Sequence, residues 1–158
     1  MMEFKSQLLH LEAWAREELA AQRRIVEQIG IQEAALRAND LAAFEAATIL
    51  VQHEAETGGE RQARRDRLIA DLARHFGVSP RHVTLASLIE RAGPEAGNLA
   101  ELRRELRTAA QDVARDSRRL RRVMLALREV NREILGSLLG TPGTHALDHE
   151  GSLVNAEA

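Results

Sequence analysis

The sequence predicts an all-α protein: an elongated antiparallel coiled-coil bundle of three long helices, with one short connecting helix and a flexible C-terminal tail. Three observations predict it. Apolar residues recur three, four or seven positions apart through three long stretches, the spacing that stacks side chains on one helix face. No stretch alternates apolar and polar residues with the period of two that marks a half-buried strand. The breaks between stretches hold turn and cap residues: Asn39-Asp40, Gly77-Val78-Ser79-Pro80 and Gly93-Pro94.

The first helix is expected from about Glu3 to Ala38. Its stripe is Phe4, Leu8, Leu11, Ala15, Leu19, Val26, Ile29 and Leu36, with Gln22 and Glu33 on the same face. Asn39-Asp40 ends it, and Asp40 can cap the next helix by accepting from its first free amides. The simplest connection is an antiparallel turn. The second helix is expected over residues 41–76. Its face holds Leu41, Phe44, Val51 and Ala55, weakens around Gly58-Gly59, and resumes at Ile69, Ala73 and Phe76. Glycine in a helix interior costs roughly 1 kcal/mol against alanine, so this helix is expected to bend there; a true break is the alternative.

Gly77 is placed to end the second helix as its C-terminal cap. Thr84 opens a short helix over residues 85–91, which Gly93-Pro94 ends. Asn98 with Glu101 three positions later suggests a capping box for the last helix. That helix carries the longest stripe: Leu99, Leu102, Leu106, Ala109, Val113, Leu120, Met124, Leu127, Ile134 and Leu138. Near its end the flank is apolar too, at Val130, Leu135 and Leu139. Gly140-Thr141-Pro142-Gly143 stops it. A bundle domain over 1–140 and a flexible tail over 141–158 follow as the expected organisation. Excess apolar surface before a tail that carries Leu147, Leu153 and Val154 reads as a binding surface.

Composition narrows the function. The 158 residues contain no cysteine, so disulfides, thiol nucleophiles and thiolate metal sites are excluded. The N-terminus lacks the apolar core of a signal peptide, and no run reaches the roughly 18 apolar residues that span a bilayer. A soluble, cytoplasmic protein without membrane insertion is expected. With 22 basic and 24 acidic residues the net charge is −2, which argues against a dedicated nucleic-acid binder. Two arginine clusters, Arg64-Arg65-Asp66-Arg67 and Arg118-Arg119-Leu120-Arg121-Arg122, read as polar helix faces with carboxylate partners, such as Glu101 and Glu105 near Arg104. Aromatic residues are not interleaved with them.

Metal and catalytic readings are weak. His145 and His149 are four apart but lack a third ligand of matching spacing, and His53-Glu54-Ala55-Glu56 reads as a solvated helix face. No glycine-rich phosphate loop and no local nucleophile motif occurs, so no enzyme, cofactor or metal is expected. Gln22, Glu33, Ser117 and Asn131 fall on otherwise apolar faces. Polar residues in a coiled-coil seam set register at some cost in stability; for Asn131 the alternative is contact with a partner's backbone.

Three segments resemble the FlgN family of flagellar export chaperones. The segment from Ala34 through Asn39-Asp40-Leu41 to Phe44 resembles its first interhelical turn. Leu127-Arg128-Glu129-Val130-Asn131-Arg132-Glu133-Ile134-Leu135 resembles the asparagine-containing stretch of its last helix. Leu147-Asp148-His149-Glu150-Gly151, followed by Ser152-Leu153-Val154-Asn155-Ala156, resembles a tail pattern of Tyr-Asp-x-x-Gly with a short terminus; Leu147 stands where the family has tyrosine. The resemblance implies a cytosolic chaperone that holds an amphipathic helix of flagellar hook-associated proteins and delivers them to the type III apparatus, with export gate or ATPase components as further partners. It places the helix on Leu127, Val130, Asn131, Ile134, Leu135, Leu138 and Leu139, with Leu147, Leu153 and Val154 as tail contacts. A generic coiled-coil adaptor or structural protein without an export role is the alternative.

Overall fold

The computed structural model describes residues 2–140, with side chains from Phe4 onward. The described residues contain helices and turns and no strand. Four α-helices follow in order: α1 (Met2–Ala38), α2 (Leu41–His75), α3 (Leu85–Ala92) and α4 (Leu99–Leu138), with single 3-10 turns at Pro80–His82 and Gly93–Ala96. The chain divides into two units, Met1–Leu120 and Arg121–Ala158. The tail expected over 141–158, with His145, Leu147, His149, Leu153 and Val154, lies outside the described residues.

In the first unit the helix directions follow from which residues meet. Arg61 meets Glu18, Arg24 meets Glu54 and Gln32 meets Thr48, so α2 numbers fall as α1 numbers rise and the pair is antiparallel. Asn98 meets Glu12, Glu105 meets Arg23 and Arg119 meets Glu33, so α1 and α4 run parallel. The order is therefore up, down, up, with α3 in the return from α2 to α4.

The connection between α1 and α2 is two residues long, because each helix end satisfies itself. Asn39 adopts φ +55. The amides of Asn39 and Asp40 donate back to Leu36 and Ala35 at 3.3 and 2.9 Å. Asparagine tolerates this left-handed position because its short polar side chain bonds locally. Asp40 then accepts from the Ala43 amide at 3.0 Å and opens α2. Gly77, at φ +65, closes α2 in the same way, with its amide donating to Arg74 and that of Val78 to Ala73. Thr84 and Ser87 exchange bonds at the start of α3 as a full capping box. Asn98 does not complete the expected box; its side-chain nitrogen donates to Glu12 of α1 at 3.2 Å. The contact between helices uses the Asn98 nitrogen, whereas capping would have used its oxygen.

The apolar core collects where α1 starts, α2 ends and α3 sits. Phe4, Leu8, Leu11, Trp14, Ala15 and Leu19 pack there with Leu72, Leu88, Leu99, Leu102 and Ala109. Trp14 was outside the expected stripe. It is buried on a second flank of α1, with Ala21 and Ala35, and its indole donates to the Arg61 carbonyl at 2.9 Å. On the opposite flank Glu12 and Glu33 meet α4. α1 thus buries more than one face because it touches both other long helices.

Helix α2 runs unbroken through Gly58 and Gly59. Its inward positions are Phe44, Ala47, Val51, Glu54, Gly58, Arg61, Arg65, Leu68 and Leu72, alternately three and four apart and all buried or half-buried. The stripe never stops; it becomes polar. Leu41, expected on this face, is 69% exposed, and Ala55 is exposed as well. Each sits one step off the true seam.

Candidate interaction surface

Helix α4 carries a stripe with steps of three and four residues from Leu99 to Leu138. Its first part is Leu99, Leu102, Leu106, Ala109, Val113, Asp116 and Leu120, after which the two successive four-residue steps Asp116–Leu120–Met124 shift the heptad phase. Beyond the shift, with heptad positions lettered a to g, Leu120, Leu127 and Ile134 take d, and Met124, Asn131 and Leu138 take a. In the first unit every one of these positions is buried or half-buried. In the second unit every one is exposed, from Leu127 at 39% to Leu138 at 77%. The three- and four-residue spacing continues on both sides of Leu120; the burial does not.

All seven residues expected to bind a partner lie on this exposed stretch. Val130, Ile134, Leu135 and Leu139 are 49, 51, 57 and 77% exposed, and Asn131 is exposed too. The a and d side chains form the middle of the face, Val130 widens it on the g side, and Leu135 on the e side. Met124 and Leu125 extend it toward Leu120, at 45 and 53% exposure. Met124 stood on the expected stripe yet was left out of the expected site; the lettered heptad recovers it. The amide of Leu139 closes the last turn onto Leu135 at 2.9 Å, and Gly140 leaves at φ +66. Contiguous apolar surface of this kind marks interaction sites in proteins that otherwise bury their apolar residues.

The polar seam residues separate into two kinds. Glu33 and Asp116 are buried and satisfied: Arg119 reaches Glu33 at 2.5 Å, and Arg115 reaches Asp116 at 2.8 Å. The bonded Arg115 guanidinium holds the Asp116 carboxyl below the usual carboxylate range, although burial works against it. Ser117, expected in the seam, is exposed; the buried stripe runs from Val113 through Asp116 to Leu120 instead. Gln22 is half-buried and donates to Glu18 at 3.1 Å. Asn131 is the polar seam residue left open to solvent.

The arginine clusters are divided among separate tasks. Arg64 pairs with Glu17, and Arg65 pairs with Asp66 while lying 5.9 Å over the Trp14 ring. Arg119 turns inward to Glu33, whereas Arg118, Arg121 and Arg122 stay exposed. Glu105, expected near Arg104, pairs with Arg23 across the groove of about 420 Å³ between α1 and α4. Glu54 of the His53-Glu54 pair is bonded to Arg24 at 2.5 Å. That bond holds its carboxyl below the usual range against the opposing effect of burial. Among the described residues no group of three metal-ligating side chains forms, and no helix is long and apolar enough to cross a membrane.

Comparison with family models, curated proteins and solved structures gives no match.

Proposed function

We propose that this chain is a cytosolic export chaperone for flagellar hook-associated proteins, which docks an amphipathic helix of its client along the exposed face of α4. One observation carries the docking part: a heptad-spaced stripe runs through residues 124–138 with every a and d side chain exposed. An amphipathic partner helix laid on such a seam reads it through the same three- and four-residue spacing. The client class and the delivery to export gate or ATPase components rest on the resemblance of the interhelical turn, the Asn131 stretch and the tail to the FlgN family.

The test joins capture with stability. The tagged chain is recovered from its native cell, and the proteins bound to it are identified beside those bound by Leu135→Asp and Leu138→Asp variants. Covering one leucine is worth about 1.5–3 kcal/mol, so losing both contacts weakens binding by roughly two to four orders of magnitude. Both variants are expected to melt like the parent, since each position is already exposed. Hook-associated proteins captured by the parent and lost from the variants support the proposal. Capture that survives both substitutions, or melting that collapses with them, overturns the docking face.

Asn131 favours a second reading, a coiled-coil adaptor that self-associates through α4. A lone asparagine at an a position pairs with its equivalent in parallel dimers and fixes their register. Sedimentation at several concentrations separates this from a monomer that waits for a client.

A further inference from the structure

The exposed face has one charged edge. Arg121 and Arg128 take successive e positions, one heptad apart, while the g positions are Val123, Val130 and Ser137. Neither arginine has an acidic residue three or four positions away in its own helix: Ser117, Arg118, Met124 and Leu125 surround the first, and Met124, Leu125, Asn131 and Arg132 the second. Neither forms an ion pair among the described residues. Arg132, outside the seam, does find its carboxylate, Glu129, at 2.6 Å. An edge that leaves two arginines unanswered within the helix is open to carboxylates from outside.

A second copy of the chain does not supply them. In a parallel pair each e residue faces a g residue of the other helix, so Arg128 meets Val123 and Arg121 meets Asp116, which is buried and already bonded to Arg115. In an antiparallel pair e faces e, and arginine meets arginine or Leu135. Both arrangements leave the guanidinium groups without an accessible, unpaired carboxylate.

We infer that the occupant of this face is an amphipathic helix with carboxylates spaced one heptad apart on the edge that meets Arg121 and Arg128, and with a side chain able to hydrogen-bond Asn131 opposite that residue. This rests on the reading that α4 docks a partner helix. The carboxylates select the partner and fix its edge, and the group facing Asn131 fixes its register, because a one-heptad slip leaves a buried amide unpaired.

The probe is a pair of synthetic four-heptad peptides, with leucine at a and d and a single asparagine at one a position. One carries glutamate at every e and g position, the other lysine. Charge at both flanks keeps each peptide from pairing with itself and covers both docking directions. Binding to the full chain is read by fluorescence anisotropy. The glutamate peptide is expected to bind at least tenfold more tightly than the lysine peptide at low salt. The gap narrows at high salt, as screening of exposed charges requires. The Arg121→Glu, Arg128→Glu double variant is expected to reverse the preference. Equal binding of the two peptides, or a preference that survives the double variant, overturns the inference while leaving helix docking intact. So does a chain that dimerises through this face and is dissociated by Leu135→Asp. If neither peptide binds but native capture still depends on Leu135 and Leu138, the acidic edge is wrong and the docking face stands.

Discussion

Arg61 shows how one side chain can replace a layer of apolar core. It occupies a seam position of α2, is 8% exposed, and spends its donors on three groups. Nε reaches Glu18 at 2.8 Å, Nη1 reaches Thr57 at 2.9 Å, and Nη2 reaches the Glu54 carbonyl at 3.2 Å. A guanidinium suits this place because its planar fork meets several acceptors at once. Replacing Arg61 with alanine leaves Glu18 and Thr57 without that donor in a half-buried setting. The expected loss is about 1–3 kcal/mol in urea unfolding; a variant that unfolds with the parent would show the network to be idle. Gly58, one turn before, makes the opposite case. A Cβ there would meet the Arg61 side chain at 3.7 Å, an ordinary contact, and at Gly59 it would meet nothing within 4 Å. Alanine at either position is expected to raise stability by about 0.5–1 kcal/mol, through helix propensity and a less flexible unfolded chain. A drop in melting temperature would point to a local need for glycine.

Helix ends and helix faces differed in how legible they were. Asp40 and Thr84 act locally, accepting from amides three residues on, and Gly77 donates its own amide to the Arg74 carbonyl; all three roles were readable from spacing. Asp40→Ala is accordingly expected to cost about 1 kcal/mol, measured as a lower urea midpoint with an unchanged slope. Asn98 defeated the same logic because its side chain answers Glu12 in another helix, and a single sequence does not show that neighbour. The face of α2 was lost for a related reason. Glu54, Gly58, Arg61 and Arg65 keep the heptad phase but not its polarity, so a search for apolar residues shifts to Leu41 and Ala55 one step away. Trp14 escaped because α1 buries a flank as well as a stripe. The α4 surface was legible since its stripe is apolar throughout, but only the burial pattern shows where coverage stops. Sequence spacing treats Leu106 and Leu127 alike; the fold buries the first by half and exposes the second.

At the scale of the whole molecule, the first unit is held by two kinds of interior. Near the start of α1 the core is apolar: Leu8, Leu11, Leu72, Leu88 and Leu99 are at most 3% exposed. Farther along α1 the buried set includes Gln32 and Glu33, with Asp116 of α4 beside them in the Arg119 network and Glu54 of α2 paired to Arg24. The two ends should therefore answer acid differently. The Asp116 carboxyl is held below its ordinary range by its bond to Arg115, and Glu54 by its bond to Arg24. A carboxyl whose folded-state value is depressed binds protons more readily when unfolded. Its contribution is full above the ordinary carboxylate range, near pH 4, and is lost as pH falls through the lower folded-state value. Apolar burial has no such dependence. Amide exchange read at pH 7 and again near pH 3 is expected to lose protection first in residues 24–54 and 110–120. Residues 8–19 and 68–73 should hold longer. The substitution Asp116→Asn should flatten the acid limb of the melting curve, because an amide has no proton to gain there. Uniform loss of protection along α1, or an acid limb unchanged in that variant, would show that the polar end is not where acid acts.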